Sequence, residues 1–113
     1  MSASVLPVKA PPFNASLSPE PGGTRINVFG EVDLTTAPRL RGVLQQATKS
    51  ADGPVEVDLG SVSFCDASGV NALVGARRAL SSRGRQLVLL NVPTQIRRVL
   101  VLASGRTLFE PAC

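Results

Sequence analysis

Residues 55–80 read VEVDLGSVSFCDASGVNALVGARRAL, and the change of hydrophobic period inside this stretch decides the fold. Val55, Val57 and Leu59 alternate with Glu56 and Asp58, the period of a strand with one buried face, whereas Val70, Leu73, Val74, Arg77 and Leu80 recur at helical spacing. The switch falls between Asp66 and Gly69, so a strand runs through a tight turn directly into a helix. Asp66 suits the N-cap, because its short carboxylate can accept from a backbone N–H of the first turn that has no partner within the helix. Ser68 is then expected at an exposed helix tip. A phosphate added there would carry roughly −1.5 to −2 charges, and the positive helix end would favour it by roughly 0.3–1 kcal/mol. Taken alone, Asp66-Ala67-Ser68-Gly69 reads more readily as small residues in a cramped junction than as a functional motif. Its position between an amphipathic strand and a helix is what gives it the setting of a recognition tip on a rigid scaffold.

Working outward, residues 28–44 read VFGEVDLTTAPRLRGVL, a second strand ending at Asp33 and a helix in which Pro38 is tolerated because the first turn needs no internal donor. Thr35 or Thr36 is expected to cap that helix, and Ala37, Leu40, Val43, Leu44 and Ala47 form its apolar stripe. Upstream, Phe13, Ala15 and Leu17 alternate with polar residues, and Ser18 to Gly23 is expected to turn the chain into the strand from Thr24 to Gly30, making a hairpin. Downstream, Ser81 to Gly84 is a turn. Leu87 to Leu90 is continuously apolar, as in a strand inside a sheet. Pro93 opens a helix with Ile96, Val99, Leu100 and Ala103 facing inward, Gly105 ends it, and residues 106–109 are expected to add an edge strand. The order β-β-α-β-α-β-α-β implies an α/β fold with right-handed crossovers: a mixed sheet of four to five strands with helices mainly on one face. The expected division is a loose arm over 1–12, one domain over 13–110 and a tail over 111–113.

Composition narrows the function. At 113 residues with 43% hydrophobic content, the chain suits one domain. Its net charge of +4 and pI near 10 raise the question of nucleic acid, but the arginines are scattered. The four phenylalanines, the only aromatics, look mostly needed for packing, which leaves little for base stacking. Solvated basic faces, with a basic rim for an acidic protein partner as the next reading, therefore take precedence over nucleic acid. The absence of histidine removes Ser-His-Asp and Cys-His arrangements, and no nucleotide-cradling glycine loop is present. Asp33 and Asp66 could meet at one sheet end, but an open surface offers no pocket to tune them as an acid/base pair. Cys65 and Cys113 are too few for a disulfide framework or a zinc site, which fits a reducing cytoplasm. A redox pairing of these two cysteines that blocks docking at Ser68 is a secondary expectation. No cofactor, metal or catalytic residue is expected. Residues 1–12 lack the apolar core of a secretory signal, and no stretch reaches the roughly 18 apolar residues of a membrane span, so no membrane contact is expected.

The stretch VDLGSVSFCDASGVNALVGARRAL resembles the STAS domain, and within it the bacterial anti-sigma factor antagonists, in which a hydrophobic strand runs into D-[SA]-S-G and an apolar helix. VFGEVDLTTAPRLRGVL resembles the family's strand ending in G-E-[LIV]-D and the helix after it. Both lie in the family's order and spacing, and with the C-terminal strand and helix the likeness covers residues from about 13 to 110. The resemblance implies a cytoplasmic, non-enzymatic switch. The unmodified antagonist binds an anti-sigma factor that is also a serine kinase and so frees a sigma factor. Phosphorylation of the serine ends the binding, and a metal-dependent serine phosphatase resets it. Carried over, Ser68 is the phosphoacceptor, Asp66 and Gly69 complete the motif, and Asp33 closes the G-E-x-D strand in the partner-facing surface. Ala67 stands where many members have a second serine, and Asn71 where glycine is frequent, so the expected partner-binding set is Asp33, Asp66, Ala67, Ser68, Gly69 and Asn71. The alternative is a non-enzymatic STAS subunit of a lipid-transport or other signalling complex, using the same face as fixed glue.

Overall fold

The computed structural model describes residues 13–50, 52–105 and 107–109. The arm expected over 1–12 and the tail over 111–113 lie outside the described residues. The elements run β1 (Asn14–Glu20), β2 (Gly23–Val32), α1 (Ala37–Lys49), β3 (Val55–Cys65), α2 (Ala67–Ser81), β4 (Leu87–Leu90) and α3 (Thr94–Ser104), followed by a 3-10 turn over Thr107–Phe109. They form one α/β domain with a four-stranded mixed sheet in the order β1-β2-β3-β4. β1 is antiparallel to β2, and the pairs β2–β3 and β3–β4 are parallel.

The hairpin turn is tighter than expected, because Glu20 already pairs with Gly23. Only Pro21 and Gly22 lie between the strands, and the positive φ of 78° at Gly22 is one that glycine adopts without strain. Pro19 is accommodated in β1 because β1 is a sheet edge, where a missing donor is harmless.

Alternation in β2 and β3 sorts the two sheet faces. Ile26, Val28, Val32, Val55, Val57 and Leu59 point into the core with Leu40 and Leu44 of α1 and Leu73 and Leu80 of α2. The intervening residues face away from the helices. On that open face Arg25 meets Asp58 at 2.6 Å and Glu56 at 3.9 Å. Burial alone would raise the Asp58 carboxyl, but the Gly60 N–H, the Asn91 amide and Arg25 together hold it below its usual range.

Several expectations are corrected. β4 is an edge strand, and residues 107–109 coil into a 3-10 turn rather than adding a strand beside it. The reason is Leu108, which is buried in the core while the Phe109 ring lies under the Arg97 guanidinium. Ala103 is exposed, leaving Ile96 and Leu100 as the buried anchors of α3. Ala76, rather than Arg77, joins the buried side of α2. Phe29 and Phe64 are 43% and 46% exposed, so only Phe13 and Phe109 pack against the core. Arg85 departs from the general expectation of solvated basic faces and is buried: its Nε donates to Gly53 O and one terminal nitrogen to Thr48 O, both at 2.8 Å. These bonds tie the C-terminal end of α1 to the loop that enters β3.

Candidate functional site

The site is assembled by register. Val32 and Cys65 are paired neighbours at the ends of the parallel strands β2 and β3, and Asp66 N donates to Val32 O at 3.1 Å. Asp33 and Asp66 therefore each stand one residue beyond the same rung, on adjacent tips at one end of the sheet. The topology brings together the two motifs that lie 33 residues apart in sequence.

On the β3–α2 tip, Asp66 is the N-cap of α2, in extended backbone, and its Oδ1 accepts from Ser68 N at 2.8 Å. Val70 N donates to Asp66 O at 3.1 Å, starting the helix. Ala67 is exposed and Ser68 half-buried, which leaves the hydroxyl at the surface rather than in the core. Gly69 is buried, and its role is steric. A Cβ at that position would stand 2.6 Å from Cys65 Sγ and 2.7 Å from Val32 Cγ1, closer than real contacts permit, so only glycine lets the helix start this near both strands. Gly69 thus sets where Ser68 sits and is not itself a surface a partner can touch. Asn71 is exposed one turn further on. It lines both the cleft of about 210 Å³ between α1 and α2 and the cleft of about 280 Å³ between α2 and α3.

The β2–α1 tip is built differently. Asp33 Oδ1 accepts from Thr35 N at 2.9 Å and from Thr36 N at 3.0 Å. Thr36 holds the N-cap position of α1, but its side chain makes no capping bond to the helix. Its hydroxyl instead accepts from Asp33 N at 2.9 Å and donates to Glu31 O at 2.8 Å. The cap expected from Thr35 or Thr36 is absent: the carboxylate of Asp33 fixes the turn before α1, and the helix is entered through a backbone bond from Ala37 N to Asp33 O at 2.8 Å. Leu34 at the crown of this turn is 77% exposed, a feature that sequence reading passed over. An apolar residue between an acidic strand end and two threonines was the available signal.

Cys65 is buried directly beneath the β3–α2 tip, with its Sγ 3.5 Å from Asp66 O. Burial, and secondarily the nearby Asp66 charge, push its thiol up to about 11. Cys113, its proposed redox companion, lies outside the described residues. Among the described residues, no group of three or more His, Cys, Asp or Glu side chains is placed to hold a metal, and no helix is long and apolar enough to cross a membrane. The site offers a surface hydroxyl at a positive helix end, two ordered carboxylates and no enclosing cavity around them: features of a docking and modification surface.

Comparison with known proteins agrees in scope and fold. A family model described as the Mlab STAS domain matches residues 16–108. An anti-sigma-B factor antagonist from Staphylococcus epidermidis is 34% identical over 74 residues, covering 66% of this chain and 68% of the relative. The unphosphorylated anti-sigma factor antagonist SpoIIAA is similar in fold, with a TM-score of 0.71 at 24% identity over 81% of this chain and 82% of that one. The phosphorylated form of SpoIIAA, a Bacillus cell fate determinant, aligns with a TM-score of 0.67 at 24% identity, over 83% of this chain and 86% of that one.

Proposed function

This chain belongs to the STAS domain family, and from that premise we propose that it is an anti-sigma factor antagonist switched by phosphorylation of Ser68. Unmodified, it binds an anti-sigma factor that is also a serine kinase and thereby frees a sigma factor for transcription. The kinase transfers the γ-phosphoryl group of ATP to Ser68 Oγ, the phosphorylated chain releases its partner, and a metal-dependent serine phosphatase hydrolyses the ester to reset it. The cycle belongs to the cytoplasm, and the chain is a ligand and substrate in it, with no catalytic residue of its own.

The observation that carries this reading is the placement of Ser68: at the surface, on the first turn of α2, beside the strand end that bears Asp33. The dianion of a phosphoserine is compatible with that helix end, so modification leaves the domain folded and acts on whatever docks there. Asp33, Asp66, Ala67 and Asn71 form the surface around it, and Gly69 holds the geometry.

The test is incubation of the purified chain with ATP, magnesium and each serine-kinase anti-sigma factor of the source genome. One of them should label Ser68. Ser68→Ala should bind that kinase persistently, and Ser68→Glu should bind it poorly. Absence of label, together with equal binding by both variants, refutes the proposal. The alternative that the family resemblance implies is a fixed, non-enzymatic STAS subunit of a lipid-transport or other signalling complex, using the same face. That role predicts stable co-purification with membrane ATPase subunits and indifference to Ser68→Glu.

A further inference from the structure

Charge in this molecule is segregated by layer. The acidic residues within the described residues, Glu20, Glu31, Asp33, Asp52, Glu56, Asp58 and Asp66, all lie in strands, loops or the cap of α2. None lies within a helix. α1 carries two arginines and a lysine, α2 two arginines and α3 two more, with no compensating acid on any of them. The strands carry a single cation, Arg25, against Glu20, Glu31, Glu56 and Asp58, and Arg25 bridges the last two on the open face. The net positive charge of the chain is therefore presented by the helical layer.

That layer adjoins the Ser68 tip. The exposed positions of α2 are Ala67, Asn71, Gly75, Arg78, Ala79 and Ser81, of which Ala67, Asn71, Gly75 and Arg78 fall in one stripe running from the tip along the helix. Asn71 shares one cleft with the exposed Arg41 of α1 and the other with the exposed Arg78. Arg98 on α3 is exposed as well. A partner that reads Ser68 and lies along α2 meets positive charge on both sides.

We infer that the helical layer is the landing surface for an acidic face of the protein that reads Ser68, and that phosphorylation acts by placing a dianion against that acidic face. This rests on the antagonist reading above and specifies the chemistry of its partner. Attraction between the layers steers encounter and holds register, and the added negative charge at the edge of the contact opposes both. Nucleic acid fits less well. The aromatic side chains most exposed, Phe29 and Phe64, lie in strands β2 and β3 rather than in the helical layer, so no stacking platform accompanies the arginines.

The experiment measures binding of the chain to each purified serine-kinase anti-sigma factor of the source genome, with a short random-sequence DNA duplex and phosphatidylglycerol vesicles as separate probes. For one kinase, wild-type affinity should fall roughly tenfold between about 50 and 300 mM salt, because the screening length for exposed charges shortens from about 14 Å to about 6 Å over this range. The double variant Arg41→Glu/Arg78→Glu should weaken binding roughly 10- to 100-fold at low salt. Arg41→Gln/Arg78→Gln should give a smaller loss in the same direction, and the loss caused by Ser68→Glu should shrink as salt rises. If the arginine variants bind as wild type and salt has no effect while Ser68→Glu still releases the kinase, this inference is overturned and the antagonist reading stands. If no kinase binds the unmodified chain, both fall. Arginine-dependent binding to the duplex or the vesicles, with kinase binding indifferent to the same arginines, also overturns it.

Discussion

The two strand tips occupy equivalent positions, one residue past the Val32–Cys65 rung, yet they are made rigid by opposite means. The β2–α1 tip is held by its own polar groups: Asp33 accepts from the backbone of Thr35 and Thr36, and Thr36 reaches back to Glu31 and Asp33. The β3–α2 tip is held by contact, with Gly69 pressed between Val32 and Cys65 and a single capping bond from Asp66. The difference separates support from function. A tip fastened through Oδ1 of its acidic side chain has that oxygen committed to the backbone and only the other to offer a partner, whereas a tip fastened by a missing Cβ leaves its serine hydroxyl at the surface.

The sharpest way to break this comparison is Gly69→Ala. The new methyl would meet a side chain on each strand at less than 3 Å, so α2 must move or the strand ends must part. Overpacking of this kind costs roughly 1–3 kcal/mol, or a melting temperature lower by about 10 °C for a domain of this size. Ser68 would be displaced with the helix, so kinase labelling should fall with stability. A melting curve matching wild type would show that the tip is not closed by contact.

A smaller effect compares the two acids. Asp33→Ala removes an acceptor shared by two backbone donors and should cost about 1–2 kcal/mol. Asp66→Ala removes one capping bond and should cost about 1 kcal/mol or less. Chemical denaturation of both variants checks the order, and a larger loss at Asp66 would reverse the assignment of polar fastening to the β2–α1 tip. Ser68→Ala, by contrast, should leave the midpoint within about 0.5 kcal/mol of wild type, as for a surface substitution away from such features.

The legible part of this molecule follows from local periodicity. The switch of period at Asp66 to Gly69 places β3, α2 and the cap within a residue or two of the observed bounds, and the family resemblance implied the pairing of the two tips. What escaped depends on groups distant in sequence. The register shifts between β2 and β3, from Asn27 to Phe29 and from Gly30 to Glu31, cannot be seen in either strand alone. The continuous apolar run of β4 suggested an interior strand, whereas that apolar surface is partly covered by α2 and by the 3-10 turn that buries Leu108. Arg85 looks solvated in sequence because its partners, carbonyls of Gly53 and Thr48, are backbone groups that no side-chain pattern announces. The steric reason for Gly69 was equally hidden, since the motif shows that glycine is there and only packing shows what fills the space.

The smallest effect concerns Cys65, whose thiol forms part of the contact under the β3–α2 tip. With its ionisation pushed from 9.0 to about 11, the thiolate fraction near pH 8 is roughly a hundredth of that of an unperturbed thiol. In a Cys113→Ser background, alkylation of the folded protein should be slower by at least about that factor than in denaturant, with no change in stability at neutral pH. The sign of the pH dependence follows from the same shift. Between about 9 and 11 the unfolded chain has lost this proton and the folded chain has kept it, so this thiol makes stability fall as pH rises through that window. Fast alkylation in the native state at neutral pH would mean that the thiol is open and the tip looser than its packing implies. A disulfide between Cys65 and Cys113 would then become chemically accessible. Slow alkylation requires the tip to open before Cys65 can react, so any redox control at this position would operate on a partly unfolded form and not on the folded docking surface.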